Sequence, residues 1–110
     1  MKANELRIGN WLQDSKGRFY QVNIDDLVYI SEVGTKSKPI PITEEWLLRF
    51  GFEKYSGWDG QIYWRKKEMD LLVTNQGFEM PSGKICEFVH ILQNAYFFTE
   101  LEELTLKNEL

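Results

Sequence analysis

The chain carries one cysteine, Cys86, and one histidine, His90, among 110 residues. A lone cysteine excludes an intrachain disulfide and the paired-cysteine framework of small secreted domains, which points to a reducing, cytoplasmic setting. Cysteine and histidine together are too few for a zinc site, which wants three or four such ligands at characteristic spacing. Asp25-Asp26 lacks the loop spacing of a calcium site, and no Gly-Lys-Ser/Thr follows Gly57 and Gly60 to make a phosphate loop. No metal and no cofactor is therefore expected. No apolar run is long enough to span a bilayer, and the opening residues, with Lys2, Glu5 and Arg7, read as neither a signal peptide nor an anchor, so no membrane partner is expected. Internal repeats, low-complexity tracts and long linkers are also missing, and the expectation is a single domain over residues 1–110.

Aromatic residues are plentiful instead, at 15% of the chain, against an ordinary 43% hydrophobic and 27% charged. Aromatics must then dominate the core or spill onto a surface. The net charge of −4 is uneven. Residues 1–42 and 43–85 nearly balance, whereas residues 86–110 set Glu87, Glu100, Glu102, Glu103 and Glu109 against Lys107 alone. That acidic end reads as a solvated tail or as a contact for a basic partner.

Along the chain, residues 1–38 form an expected β-lobe. Leu6, Ile8, Trp11 and Leu12 lead to the turn cluster Asp14-Ser15-Lys16-Gly17, and Phe19–Ile24 returns as a strand. Asp25-Asp26 reads as a second turn before a third strand over Leu27–Val33, rich in β-branched and aromatic residues. Three such strands suggest a small curled sheet, a partial barrel of the SH3-like kind. Residues 39–51 are an extended Pro39-Ile40-Pro41-Ile42 segment and a short helix over 44–50. Thr43 suits its N-cap, Glu44 and Glu45 face the positive end of its dipole, Ile42 and Leu47 form a staple, and Gly51 ends it. Adjacent carboxylates on a helix point about 100° apart, so Glu44 and Glu45 are not a catalytic pair.

Residues 52–87 read as a β-meander: Phe52–Tyr55, a turn at Ser56–Gly60, Gln61–Arg65, Met69–Thr74, a turn at Asn75–Gly77, then Phe78–Met80 closed by Pro81. In Gln61–Arg65, Ile62 and Trp64 share one face and Gln61, Tyr63 and Arg65 the wetter one. Lys84–Glu87 suits either a last strand or the start of the last helix. Residues 88–110 are that helix and the acidic tail. From Phe88 to Phe98 the apolar spacing fits a helix burying Phe88, Val89, Ile91, Leu92, Ala95, Tyr96 and Phe98. His90, Gln93, Asn94 and Phe97 then form a stripe on its solvent side, where Phe97 stands out. The fold class expected is α+β, with the C-terminal helix packed on the sheet.

Three blocks carry a resemblance: Asn4-Glu5-Leu6-Arg7-Ile8-Gly9-Asn10-Trp11, then Pro39 through Phe52 (PIPITEEWLLRFGF), then Val89-His90-Ile91-Leu92-Gln93-Asn94-Ala95-Tyr96-Phe97. Together they resemble a family of small uncharacterised proteins of gut bacteria and their phages or mobile elements. The resemblance spans nearly the whole chain and implies a cytoplasmic accessory protein of a mobile element, with no catalytic or binding residue attached. The family pattern has Thr-Gly after the last helix where this chain has Thr99-Glu100, so the helix is expected to run on.

For chemistry, Cys86 lies four residues before His90 and would share a helix face with it as a Cys-His dyad. The apolar setting of Cys86 argues for an inert thiol, and no catalytic residue is assigned. Two surfaces remain. The stripe His90, Gln93, Asn94 and Phe97 suits a protein partner or self-association, unless the segment 100–106 folds back over Phe97 with Leu101 or Leu104. The middle hairpin interleaves Tyr55, Trp58, Tyr63 and Arg65 with Lys66 and Lys67, ingredients for stacking bases or sugar rings beside cations. Its blander alternative makes Tyr55 and Tyr63 a cross-strand pair and Trp58 a lid on the core. A non-enzymatic protein-interaction module is the expected function, a nucleic-acid-binding module the alternative, and a small hydrolase using His90 the weakest reading.

Overall fold

A computed structural model describes residues 3–107 of the chain. A single 3-10 turn (Ala3–Glu5) leads to β1 (Trp11–Gln13) and β2 (Phe19–Gln21), paired as an antiparallel hairpin. Its turn is held by the Asp14 carboxylate, which accepts the backbone N–H groups of Lys16 and Arg18, both at 2.9 Å, the side-chain mimicry that suits aspartate to turns.

Beyond β2 the expected third strand is not there. Leu27–Val33 lies inside a helix, α1 (Ile24–Val33). The Asn23 side chain accepts the Asp26 N–H at 2.9 Å while the Asp26 carboxylate accepts the Asn23 N–H at 3.0 Å. This reciprocal capping box, with Asp25 and Asp26 at the positive end of the dipole, outweighs the modest strand preference of Val28, Tyr29, Ile30 and Val33. The third strand is instead β3 (Lys38–Pro39), and the sheet order is β2-β1-β3. Pro39 sits at an edge, where its missing N–H costs nothing. The two edges do not pair, so the sheet stays open and no barrel closes. Leu6, Leu12, Val22 and Ile30 form its small core.

Helix α2 (Glu44–Arg49) follows the extended prolines as expected, with the Thr43 hydroxyl accepting the Trp46 N–H at 3.4 Å. Gly51 ends the turn at φ +90°, a conformation that a side chain disfavours. Five antiparallel strands then run in chain order: β4 (Glu53–Ser56), β5 (Ile62–Lys66), β6 (Met69–Thr74), β7 (Gly77–Glu79) and β8 (Ile85–Cys86). Trp64, Met69, Leu71 and Cys86 point from this sheet into the main core, where they meet Leu47, Phe50 and Phe52 from α2 and its exit, and Val89, Leu92 and Tyr96.

The last helix, α3 (Val89–Glu100), packs on β6 and β8 with one side and on β1 with another. Its buried arc runs from Leu92 through Tyr96, Val89 and Gln93 to His90, while Phe98, expected inside, is exposed. Being covered on two sides explains the displacement: the amides face a second piece of protein rather than water. Gln93 accepts the Trp11 N–H at 2.8 Å and donates to the Gly9 carbonyl at 3.0 Å. Asn94 accepts from Asn10 at 2.9 Å and from Arg7 at 3.0 Å, and donates to the Glu5 carbonyl at 3.0 Å. The helix does not run on as expected: it ends at Glu100 and the chain turns at Leu101, whose φ of 58° is left-handed, so a leucine takes the conformation usually left to glycine. The tail folds back, burying Leu104 in the main core.

Gln93 is 2% exposed, and the Trp11 N–H depends on it for a partner. Gln93→Met keeps the length of the side chain and removes that acceptor. It is expected to lower stability by about 1–3 kcal/mol, the cost of leaving a buried donor unpaired. Urea denaturation measures this, and an unchanged midpoint would remove the amide from the groups that hold the N-terminal segment.

Candidate functional site

The helical stripe is not a surface. His90 and Gln93 are each 2% exposed, Asn94 is tied to residues 5–10, and Phe97 is half-buried with the Arg7 guanidinium 4.0 Å above its ring. The cover expected from Leu101 or Leu104 comes from the N-terminal segment instead, since Leu101 is exposed and Leu104 lies in the main core. Three of the four residues expected to meet a partner protein, Gln93, Asn94 and Phe97, therefore meet the chain's own start, and the fourth, His90, is buried against Phe88. Two adjacent amides, Gln93 and Asn94, three and four residues after His90 among apolar neighbours were the available signal for such a seam.

The acidic tail is engaged in the same way. Glu103 pairs with Arg7 and Glu102 with Lys67, while Glu102 also accepts the Tyr96 hydroxyl at 3.1 Å and Glu100 accepts the Glu68 N–H at 3.1 Å. The Lys67 hydrogen bond, helped by that of Tyr96, holds the Glu102 carboxyl below the usual range, and burial pushes the Tyr96 phenol up to about 12.

Cys86 and His90 do not share a helix. Cys86 belongs to β8 and donates weakly to the Phe88 carbonyl at 3.6 Å, and burial pushes its thiol up to about 12, where little thiolate forms. His90 stacks on Phe88 at a ring separation of 6.0 Å, and neither of its nitrogens has a hydrogen-bond partner among the described residues. Among the described residues no group of three or more histidines, cysteines and carboxylates is placed to hold a metal.

The β4–β5 hairpin is built differently. Antiparallel register sets Tyr55 opposite Tyr63 and Glu53 opposite Arg65. The two tyrosine rings stack at 5.3 Å and 18°, the cross-strand pair anticipated from the sequence. Gly57 is required beside them, because a Cβ there would lie 2.7 Å from the Tyr63 ring and 2.7 Å from Asp59 Oδ1. The Tyr63 hydroxyl donates to Asp59 at 2.8 Å. The Gln61 N–H first, then that hydroxyl, lowers the Asp59 carboxyl below its ordinary value, and the same bond raises the Tyr63 phenol. Trp58 at the tip is fully exposed, so it is no lid on the core.

The cations beside the stack have internal partners. Arg65 pairs with Asp70 at 3.1 Å, Lys54 with Glu44 at 3.1 Å, and Lys67 with Glu102. Lys66 donates to the Phe50 carbonyl at 2.6 Å and lies 5.6 Å from the Tyr96 ring, and burial lowers its pKa. Lys54, Arg65, Lys66 and Lys67 nevertheless share one groove of about 430 Å³ with Tyr55, Glu53 and Gly51. Lys54 is the member of this set that the sequence did not single out. It alternates away from Tyr55 along β4, and only the groove at the sheet edge brings the two together.

Burial holds the His90 imidazole below its ordinary pKa of 6.5. The folded chain then binds fewer protons there than the unfolded chain, so stability is full above about pH 6.5 and declines as pH falls toward the folded value. The wild-type melting temperature is expected to drop between pH 7.5 and 5.5, and that of His90→Leu to stay level, both followed by circular dichroism. Parallel curves for the two would show that His90 takes up its proton without cost. Comparison with known proteins returns no matching family, no matching curated protein and no matching solved structure.

Proposed function

We propose that the chain is a non-enzymatic binding module, an accessory protein of a phage or mobile element, and that its ligand is single-stranded nucleic acid held along the β4–β5 hairpin. The observation that carries this reading is the Tyr55–Tyr63 stack standing beside a groove lined by four cations. Aromatic faces hold bases without regard to sequence, and a cationic groove follows the backbone. Trp58, fully exposed beyond the stack, offers a further face. The internal ion pairs do not oppose this. Exposed pairs are worth about 0–1 kcal/mol, so Arg65 and Lys67 exchange a carboxylate for a phosphate at little cost. The chain's net charge of −4 acts the other way and favours low affinity with a preference for short strands.

Titration of tryptophan fluorescence with oligothymidine and oligouridine, at low and at physiological salt, tests the reading. Quenching that saturates and weakens with salt is expected. Arg65→Ala combined with Lys67→Asn, which suits the positive φ of 53° at that position, should flatten the salt slope by about 1.4, roughly 0.7 for each phosphate no longer neutralised. Tyr55→Ala should cost about 1–3 kcal/mol of binding. No change in fluorescence with either strand at low salt would sink the proposal.

A further inference from the structure

Helix α1 exposes four of its large apolar side chains: Ile24 at 58%, Val28 at 48%, Tyr29 at 65% and Val33 at 65%. It buries Ile30 alone. At about 100° per residue, Ile24 and Val28 form one flank of the open face, Tyr29 and Val33 the other, and Asp25 and Glu32 lie between them. The Tyr29 and Val33 flank continues into a cavity of about 500 Å³ that extends past Gly34 to Lys36. The charge on this helix is of one sign. Asp25, Asp26 and Glu32 are its only charged residues, and Asp26 is occupied in the capping box. Asp25 and Glu32 have no ion pair among the described residues, as is true of Glu45, Glu53, Glu68, Glu79 and Glu87, but on α1 no cation of the same helix accompanies them and they stand between exposed apolar side chains.

We infer that the open face of α1 is a docking surface for a cationic amphipathic helix of a partner protein, whose lysines or arginines meet Asp25 and Glu32 while its apolar side chains cover Ile24, Val28, Tyr29 and Val33. Charge chooses this occupant over the others. A second copy paired through α1 about a two-fold axis sets Asp25 against Glu32 when the helices run antiparallel, and Asp25 against Asp25 when they run parallel. Nucleic acid and anionic lipid are repelled by the same carboxylates. An apolar face divided by an unpaired acidic ridge is complementary to a helix with leucine-like flanks and a basic seam, the helix-on-groove mode of recognition. The surface belongs to the N-terminal lobe and shares no residue with the β4–β5 hairpin, so it stands whether or not the hairpin binds nucleic acid.

Fluorescence anisotropy of a labelled helical peptide made only of leucine and lysine in amphipathic order tests the inference on the full chain, beside a scrambled peptide of the same composition. The ordered peptide is expected to bind with saturation and to weaken with salt. The scrambled peptide, Val28→Asp, and Asp25→Asn combined with Glu32→Gln should each weaken binding by about tenfold or more, about 1.4 kcal/mol. These positions are exposed, and circular dichroism confirms that the variants keep their helix. Equal binding of both peptides, or binding that ignores the variants, would reduce the effect to general attraction by an acidic protein and overturn the inference. A wild-type dimer that Val28→Asp converts to monomer would also overturn it, by assigning the face to a second copy.

Discussion

The docking of residues 5–11 onto α3 is the interaction on which the rest of the fold depends. The N-terminal lobe has a core of four residues, Leu6, Leu12, Val22 and Ile30, which is too little apolar burial to offset the entropy of ordering some thirty-five residues. It is held by borrowing a surface. Two amide side chains, Gln93 and Asn94, satisfy backbone groups of Glu5, Gly9 and Trp11 that no strand or helix serves, and Asn10, itself 1% exposed, is satisfied in return. Paired buried polar groups of this kind are costly when half-satisfied and position-specific when complete. They dictate where the lobe sits, which a purely apolar seam would leave looser.

That seam also gives physical content to the three sequence blocks. Residues 4–11 and 89–97 are its two sides. The middle block, 39–52, reaches the same place from below: the Ile42 N–H donates to the Glu87 carbonyl, the Val89 N–H donates to the Ile40 carbonyl, and Pro41 bridges to Phe88. Stretches of sequence far apart in the chain thus form one interlock around the start of α3. A pattern recurring in those blocks describes how such a chain is fastened together and says little about what it binds.

Where the fold was legible, a local device with one solution was present. Thr43, Glu44 and Gly51 bound α2 at both ends, and Met69–Thr74 alternates cleanly between turns. Two misreadings have a common origin, in that a composition was allowed to outvote a geometry. The β-branched residues of 27–33 suggested a strand, but Asn23 and Asp26 cap one another and a helix follows. The polar side of α3 suggested solvent, but amides serve buried backbone as readily as water does, and no pattern within one helix tells which will be opposite. The hairpin fared better because Tyr55 and Tyr63 are joined by a short turn, so their register is nearly a local property. Its groove was not legible, for it depends on the sheet edge bringing Lys54 round to Arg65, Lys66 and Lys67.

Once the seam and the folded-back tail have taken their share of charged and polar groups, the free surface divides by charge. Glu100, Glu102 and Glu103 are spent on the chain's own N–H and cationic groups, while Asp25 and Glu32 of α1 stay without an ion pair among the described residues and cations gather at the edge of the five-stranded sheet. The two surfaces also rest on unequal foundations. The hairpin belongs to the sheet that builds the main core, whereas α1 contributes one buried residue to the small lobe. Local opening is cheapest where little apolar burial has to be undone, so α1 belongs to the low-stability end of the molecule. Anything that covers Ile24, Val28, Tyr29 and Val33 binds the folded lobe alone and stabilises it by mass action. Occupation of α1 would therefore stabilise the small lobe, the same lobe that Gln93 and Asn94 of α3 fasten to the rest of the molecule.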